Sequence, residues 1–229
     1  MNTDKQGGQR TQKKDRIECA EKYKHHIDAA KVDATRHKIH GKRCTVYELV
    51  KDALIANNVT EPTQRVLACE TVNLQWDDNR LNNKGLEETP IISMVDTSMS
   101  MTDEMCVLLY NAIGLGIRAS ELTHPAFKHR CMTFNSEPSW VNFEGCSDFV
   151  SKVLRLKASS WGMNTNFYNA LELILACILE NEIPPSDVSG MVLAVFSDMQ
   201  IDNRWANKDA NTVGPSFNTL FEEIKQMYA

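Results

Sequence analysis

The sequence predicts an α/β domain, a mostly parallel sheet flanked by helices, preceded by a helical region. Three observations predict it. From residue 90 on, apolar runs of strand length alternate with stretches of helical periodicity. Two of those runs, Ile91–Val95 and Met191–Ser197, read as buried strands, and each leads into an aspartate, Asp96 and Asp198. Before residue 86 there is no such run, and apolar residues recur at spacings of three and four instead.

Composition sets the frame. A chain of 229 residues can bury one good core plus a helical extension. With 42% hydrophobic and 24% charged residues it has the make-up of a soluble globular protein. The aliphatic stretch Leu171–Leu179 is interrupted by Glu172 and falls short of the roughly 20 residues a membrane helix needs, so no membrane is expected. Met1–Arg16 is polar and carries no apolar leader core. Seven cysteines without a C-x-x-C pair suit reduced thiols in an intracellular, expectedly cytoplasmic, setting. The net charge of −5 is uneven: residues 1–45 hold twelve Lys/Arg against six Asp/Glu, which is +6 and leaves −11 for the rest. Such a basic segment suits a solvated helix face or contact with an acidic surface such as RNA.

Along the chain, residues 1–16 read as a disordered basic tail, polar and without periodicity. Residues 17–86 read as the helical region. Ile17, Ala20, Tyr23, Ile27 and Ala30 give a first helix, with Gly41 as its stop. "TVYE" at 45–48 is a capping box that opens a second helix, whose apolar face is Val46, Leu49, Val50, Ala53 and Leu54. A third starts near Thr60–Pro62 and runs through Val66, Leu67, Val72 and Trp76 until Asn82, Asn83 and Gly85 break it.

Residues 87–229 form the α/β region. Strand Ile91–Val95 is followed by a helix over Asp103–Leu122. Residues 128–135 and 139–143 read as two strands joined by a tight turn at 136–138. A short helix follows, with Ser147 as N-cap, and then a nearly all-apolar, deeply buried helix over 165–180. Strand Met191–Ser197 and a helix over Phe217–Tyr228 close the list.

In an open α/β sheet, ligands bind outside the carboxyl ends of the strands. "DTSMS" sets Asp96, Ser98 and Ser100 there. "WGMNTN" brings Thr165, with Gly162 permitting close backbone approach, and "FSDMQID" brings Asp198. Hydroxyls and carboxylates are hard oxygen ligands, the set that Mg²⁺ (or Mn²⁺) prefers. Two carboxylates roughly neutralise a divalent ion, so an open position can take an acidic side chain from a protein partner.

D-x-S-x-S with the later Thr165 and Asp198 resembles the metal-ion-dependent adhesion site of von Willebrand factor A domains. In that family the serines and the threonine bind the metal directly, and the aspartates act largely through water. "ALIANN", "NLQWDD", "WGMNTNF" and "VFSDMQID" are together similar to an uncharacterised family of plants and giant viruses. That family joins a helical region to an A domain and is distantly similar to the Ro RNA-binding proteins. The resemblance implies a von Willebrand A-like, Rossmann-type sheet and, for a viral member, association with the virion. Ile91–Ala229 is shorter than such domains usually are. The last strands are therefore expected to be missing, and Met191–Ser197 to be an edge open to self-association.

Other chemistries fit less well. Ser98 lacks the G-x-S-x-G elbow of a nucleophile, and a serine at 98 removes the general acid of a D-x-D phosphatase. No phosphate-binding glycine loop exists. His25, His26, His37 and His40 read as solvated helix residues, Trp140 and Trp161 as anchors, and Asp202 as a surface carboxylate. The function expected is metal-dependent binding of a protein partner without catalysis. The alternative is RNA binding of Ro-like type through the basic helical region.

Overall fold

The computed structural model describes residues 10–80, 91–123, 125–135, 137–159, 167–198 and 225–226. Among them are seven α-helices and one four-stranded, mostly parallel sheet. In chain order the helices are α1 (Lys14–Val32), α2 (Val46–Asn57), α3 (Pro62–Arg80), α4 (Asp103–Leu122), α5 (Phe149–Lys157), α6 (Phe167–Glu180) and α7 (Pro185–Val188). The strands are β1 (Ile91–Asp96), β2 (Arg130–Phe134), β3 (Ser139–Asn142) and β4 (Val192–Phe196). The predicted helix over Phe217–Tyr228 lies outside the described residues, apart from 225–226, which are helical.

The chain divides into two units, and the division is not the single boundary near residue 86 read from the sequence. The helical unit takes α1, α2 and α3 together with residues 145–157, so α5 belongs to it. The reason is the apolar stripe of α5: Phe149, Val150, Val153 and Leu156 are all buried, and the helix packs on α2 and α3. Its N-cap is Asp148 and not Ser147, because the Asp148 carboxylate accepts the Ser151 N–H at 2.8 Å. Asn73 Oδ1 accepts the Val150 N–H at 3.0 Å.

Helix α1 begins at Lys14, so residues 14–16 are helical and not part of a loose tail. It ends at Val32, well before Gly41. Asp33 stops it by folding the chain back: its carboxylate accepts the N–H groups of Thr35 and Arg36 at 3.0 and 3.1 Å. The Thr35 hydroxyl and those two N–H groups hold the Asp33 carboxyl below its ordinary range. Gly41 has another task. A Cβ there would lie 1.8 Å from the Gln75 carbonyl oxygen, so only glycine lets this loop approach α3. Asp78 then accepts the N–H groups of Gly41 and Lys42 at 2.9 and 3.2 Å.

The capping box of α2 is present in full. Thr45 Oγ1 accepts the Glu48 N–H at 3.2 Å, and Glu48 Oε2 accepts the Thr45 N–H at 2.8 Å. Helix α3 is capped by Glu61, whose carboxylate accepts from the N–H groups of Thr63 and Gln64 ahead of the first turn. Helix α1 docks on α3 through the Lys31–Glu70 ion pair and the Tyr23–Thr71 hydroxyl contact at 2.8 Å.

In the α/β unit the strand order is β3-β2-β1-β4. β1 runs parallel to β2 and to β4, with Met94 opposite Met132 on one side and Val195 on the other. β2 and β3 form an antiparallel hairpin. Alternation along the strands sends Ile92, Met94, Met132 and Phe134 to one face, where they pack with Ala170, Leu171, Ile174 and Cys177 of α6. Val95 points to the other face and meets α4 at Gly116, where a Cβ would lie 2.3 Å from Val95 Cγ2. Helices therefore cover both faces. Cys131, fully buried on β2, has its thiol pushed far above the ordinary range by desolvation.

Three expectations need correction. Helix α6 is buried along one stripe and not all round, since Leu179 is 67% exposed. Strand β4 is only partly buried, its pattern running from an exposed Val192 to four half-buried residues, and among the described residues it is an edge. The sequence marks Leu171–Leu179 as too short for a membrane's thickness, but among the described residues the helix long and apolar enough to cross one, by length and composition alone, is Met105–Leu122. It is the core helix α4, whose buried face lies on β1.

Candidate metal centre

The order of the strands reverses between β1 and β4. From β1 the chain moves outward to β2 and β3, then returns to β1's other side as β4. A crevice forms at such a reversal, outside the carboxyl ends of the two strands. Asp96 is the last residue of β1, and Ser197 and Asp198 follow β4 directly.

Asp96 is 0% exposed. Its Oδ1 accepts the Ser98 N–H at 2.8 Å, a turn in which the aspartate side chain folds the loop behind it. The Ser98 carbonyl accepts the Met101 N–H, and Met99–Thr102 curls into a short 3-10 helix. That curl brings the alternate serines together, Ser98 Oγ to Ser100 Oγ at 3.0 Å. Met99, between them, turns outward, 58% exposed, while both hydroxyls gather beside the strand end. From the β2 side, the Thr97 N–H donates to the Phe134 carbonyl at 3.3 Å, and Asn135 Nδ2 donates to Thr97 Oγ1 at 3.3 Å.

Asp96 Oδ2 accepts a hydrogen bond from Ser197 Oγ at 2.5 Å. This bond joins the ends of β1 and β4 across the reversal. Asp198, the next residue, is half-buried. Asp96, Ser98 and Ser100 are thus brought together, and Asp198 stands one residue beyond the side chain that touches Asp96. Thr165, with Gly162 and Trp161, lies outside the described residues, as does Asp202.

Sequence reasoning missed Ser197, Thr97 and Asn135. Ser197 carried a usable signal, a hydroxyl residue at a strand end immediately before a site aspartate. Asn135 carried none, because its pairing with Thr97 spans two strands.

Among the described residues no three His, Cys, Asp or Glu side chains gather as a metal-holding group. The predicted set would not form such a group, since it has two carboxylates and otherwise hydroxyls. Among the described residues Asp96 makes no ion pair, and it accepts from two neutral donors, the Ser98 amide and the Ser197 hydroxyl. Carboxylate oxygens that each accept one hydrogen bond keep further lone pairs that a cation can share. The donor chemistry fits a hard divalent ion.

An α/β sheet covered by helices on both faces, with polar side chains gathered at its strand-order reversal, defines the class of protein. Residues 90–229 match the family described as "Domain of unknown function (DUF7788)", and the chain belongs to that family. No curated protein and no solved structure matches the chain.

Proposed function

We propose that the α/β unit is a von Willebrand A-like module that binds a protein partner through a divalent metal, without catalysis. The observation that carries this reading is the buried Asp96 carboxylate, held by neutral donors beside two adjoining serine hydroxyls. Asp96, Ser98, Ser100 and Asp198 would hold Mg²⁺ or Mn²⁺, and Thr165 would join them if its loop reaches the same crevice. A bound ion supplies positive charge that an acidic side chain of the partner can ligate. Met99 sits between the two serines and Met105 follows them, both exposed. Exposed methionines next to a polar centre suit an adaptable protein contact more than a small-molecule pocket.

The strand order supports the same reading, since β3-β2-β1-β4 agrees with the first part of the 3-2-1-4-5-6 order of a Rossmann-type sheet, from which the antiparallel β3 departs. The alternative, RNA binding by the helical unit, rests on exposed Lys14, Arg16, Lys22 and Lys24 along α1. Asp15, Glu18 and Glu21 are interleaved with them, and Lys14 lies 3.8 Å from Glu18. This mixing weakens the field that phosphate contacts need, so the metal reading is preferred.

Calorimetric titration with Mg²⁺ and Mn²⁺ tests it. Binding by the unsubstituted chain and its loss in Asp96→Ala are expected. The metal should also raise the melting temperature by mass action. Absence of any binding at millimolar metal would overturn the reading. An affinity for RNA that falls steeply with salt and ignores chelator would favour the alternative.

A further inference from the structure

We infer that Ser197 is a positioning residue of this centre, clamping the Asp96 carboxylate from the neighbouring strand; the inference rests on the metal reading above. A carboxylate has one soft torsion next to the plane of its oxygens, and that torsion is broad unless both oxygens are held. Asp96 has each oxygen held from a different direction. Oδ1 is held by the Ser98 amide of its own loop, at 2.8 Å. Oδ2 is held by the Ser197 hydroxyl, at 2.5 Å, from a strand 101 residues further along the chain.

The two bonds do different things. The amide bond fixes Asp96 against the serine loop, and so against the paired hydroxyls of Ser98 and Ser100. The hydroxyl bond fixes Asp96 against the end of β4. Ser197 is directly followed by Asp198, so the same bond sets where the second carboxylate begins relative to the first. Parallel pairing of β1 with β4 ends at Val95 opposite Phe196. Immediately beyond that register point the Ser197 hydroxyl adds a side-chain tie between the two strand ends. Ser197 would act on the ion through Asp96, not as a ligand. Residues that orient metal-ligating groups in this way typically cost about 10–100-fold in metal affinity when removed.

The experiment is a set of Mg²⁺ and Mn²⁺ titrations on the full chain, unsubstituted and as Ser197→Ala and Ser197→Thr, with melting in chelator measured alongside. Ser197→Ala should bind metal about 10–100-fold more weakly, and Ser197→Thr, which keeps the hydroxyl, should restore most of the affinity. If Ser197→Ala lowers the metal-free melting temperature but binds metal as tightly as the unsubstituted chain, the serine is merely structural and the inference is overturned. Equal weakening in the alanine and threonine variants also overturns it, because the hydroxyl is then not the active group. No binding by the unsubstituted chain overturns the metal reading itself, and this inference with it.

Discussion

The indole of Trp76 on α3 and the ring of Phe149 on α5 are stacked, with centroids 3.8 Å apart and planes 9° from parallel. Both side chains are almost wholly buried. This contact closes the helical unit with a helix drawn from the middle of the α/β region's sequence. The helical unit is therefore discontinuous along the chain, and residues 10–80 without residues 145–157 lack part of their core.

Phe149→Ala should accordingly destabilise the helical unit by about 3–5 kcal/mol, the usual cost of emptying a buried aromatic site. Urea unfolding of the full chain measures it. A loss within about 0.5 kcal/mol, typical of surface substitutions, would mean that α5 is not integral to that core.

Gly116→Ala places a Cβ 2.3 Å from Val95 Cγ2. Alanine would gain up to about 1 kcal/mol of helix propensity at this position. Val95 is fully buried in the sheet and stiff at its Cβ, so overlap costing about 1–3 kcal/mol should outweigh that gain. Combining Gly116→Ala with Val95→Ala should recover part of the loss. Strict additivity of the two single effects in thermal melts would show that the residues do not press on each other.

Helix α6 ends in a Schellman motif: the Ile183 N–H donates to the Ile178 carbonyl at 3.0 Å, and the Glu182 N–H to the Leu179 carbonyl at 3.2 Å. The residue at the left-handed position is Glu182, with φ of 49°, where glycine is usual. Glu182→Gly should raise stability by roughly 1 kcal/mol by relieving that conformation. A lower denaturation midpoint in the glycine variant would contradict the assignment.

The Thr45 N–H, and after it the Thr45 hydroxyl, hold the Glu48 carboxyl below its ordinary value of 4.5. A folded-state value depressed in this way contributes stability that is complete above 4.5 and is lost as pH falls through the lower folded value. Glu61, depressed by the N–H groups of Gln64 and Thr63, acts in the same direction. Asp52, raised by burial, acts in the opposite one. The readout is therefore the difference between the unsubstituted chain and Glu48→Gln, whose amide oxygen can still accept from Thr45 but does not titrate. The variant should lose less stability than the unsubstituted chain between pH 4.5 and the acid transition. Parallel stability curves would remove Glu48 from the account.

Much of the local structure was legible because short-range chemistry dictates it. Thr45 and Glu48 are three residues apart, and their box forms as the spacing requires. Helix Asp103–Leu122 was bounded correctly by its periodicity. Asp96 and its serines were legible as a group because one loop carries all three, and a turn closed on the Asp96 carboxylate needs no distant partner. The errors fell where the deciding partner is remote. Gly41 looked like a helix stop and is instead a point of contact with Gln75 of α3.

What the amino-acid order determined alone is thus the element types, the caps, and the presence of carboxylate and hydroxyl side chains at strand ends, all consequences of interactions within a few residues. What only the tertiary structure decided is which elements share a core and which side chains meet. The sequence pattern could show that α5 has an apolar stripe, but not that Trp76 would receive it. It could place Asp198 after a strand, but not that β4 would lie beside β1 with the Ser197 hydroxyl on Asp96. Periodicity reports that a face must be buried and says nothing of what buries it. The pairing of strands about a hundred residues apart is set by the competition among all apolar faces for cover, and that competition is resolved only in three dimensions.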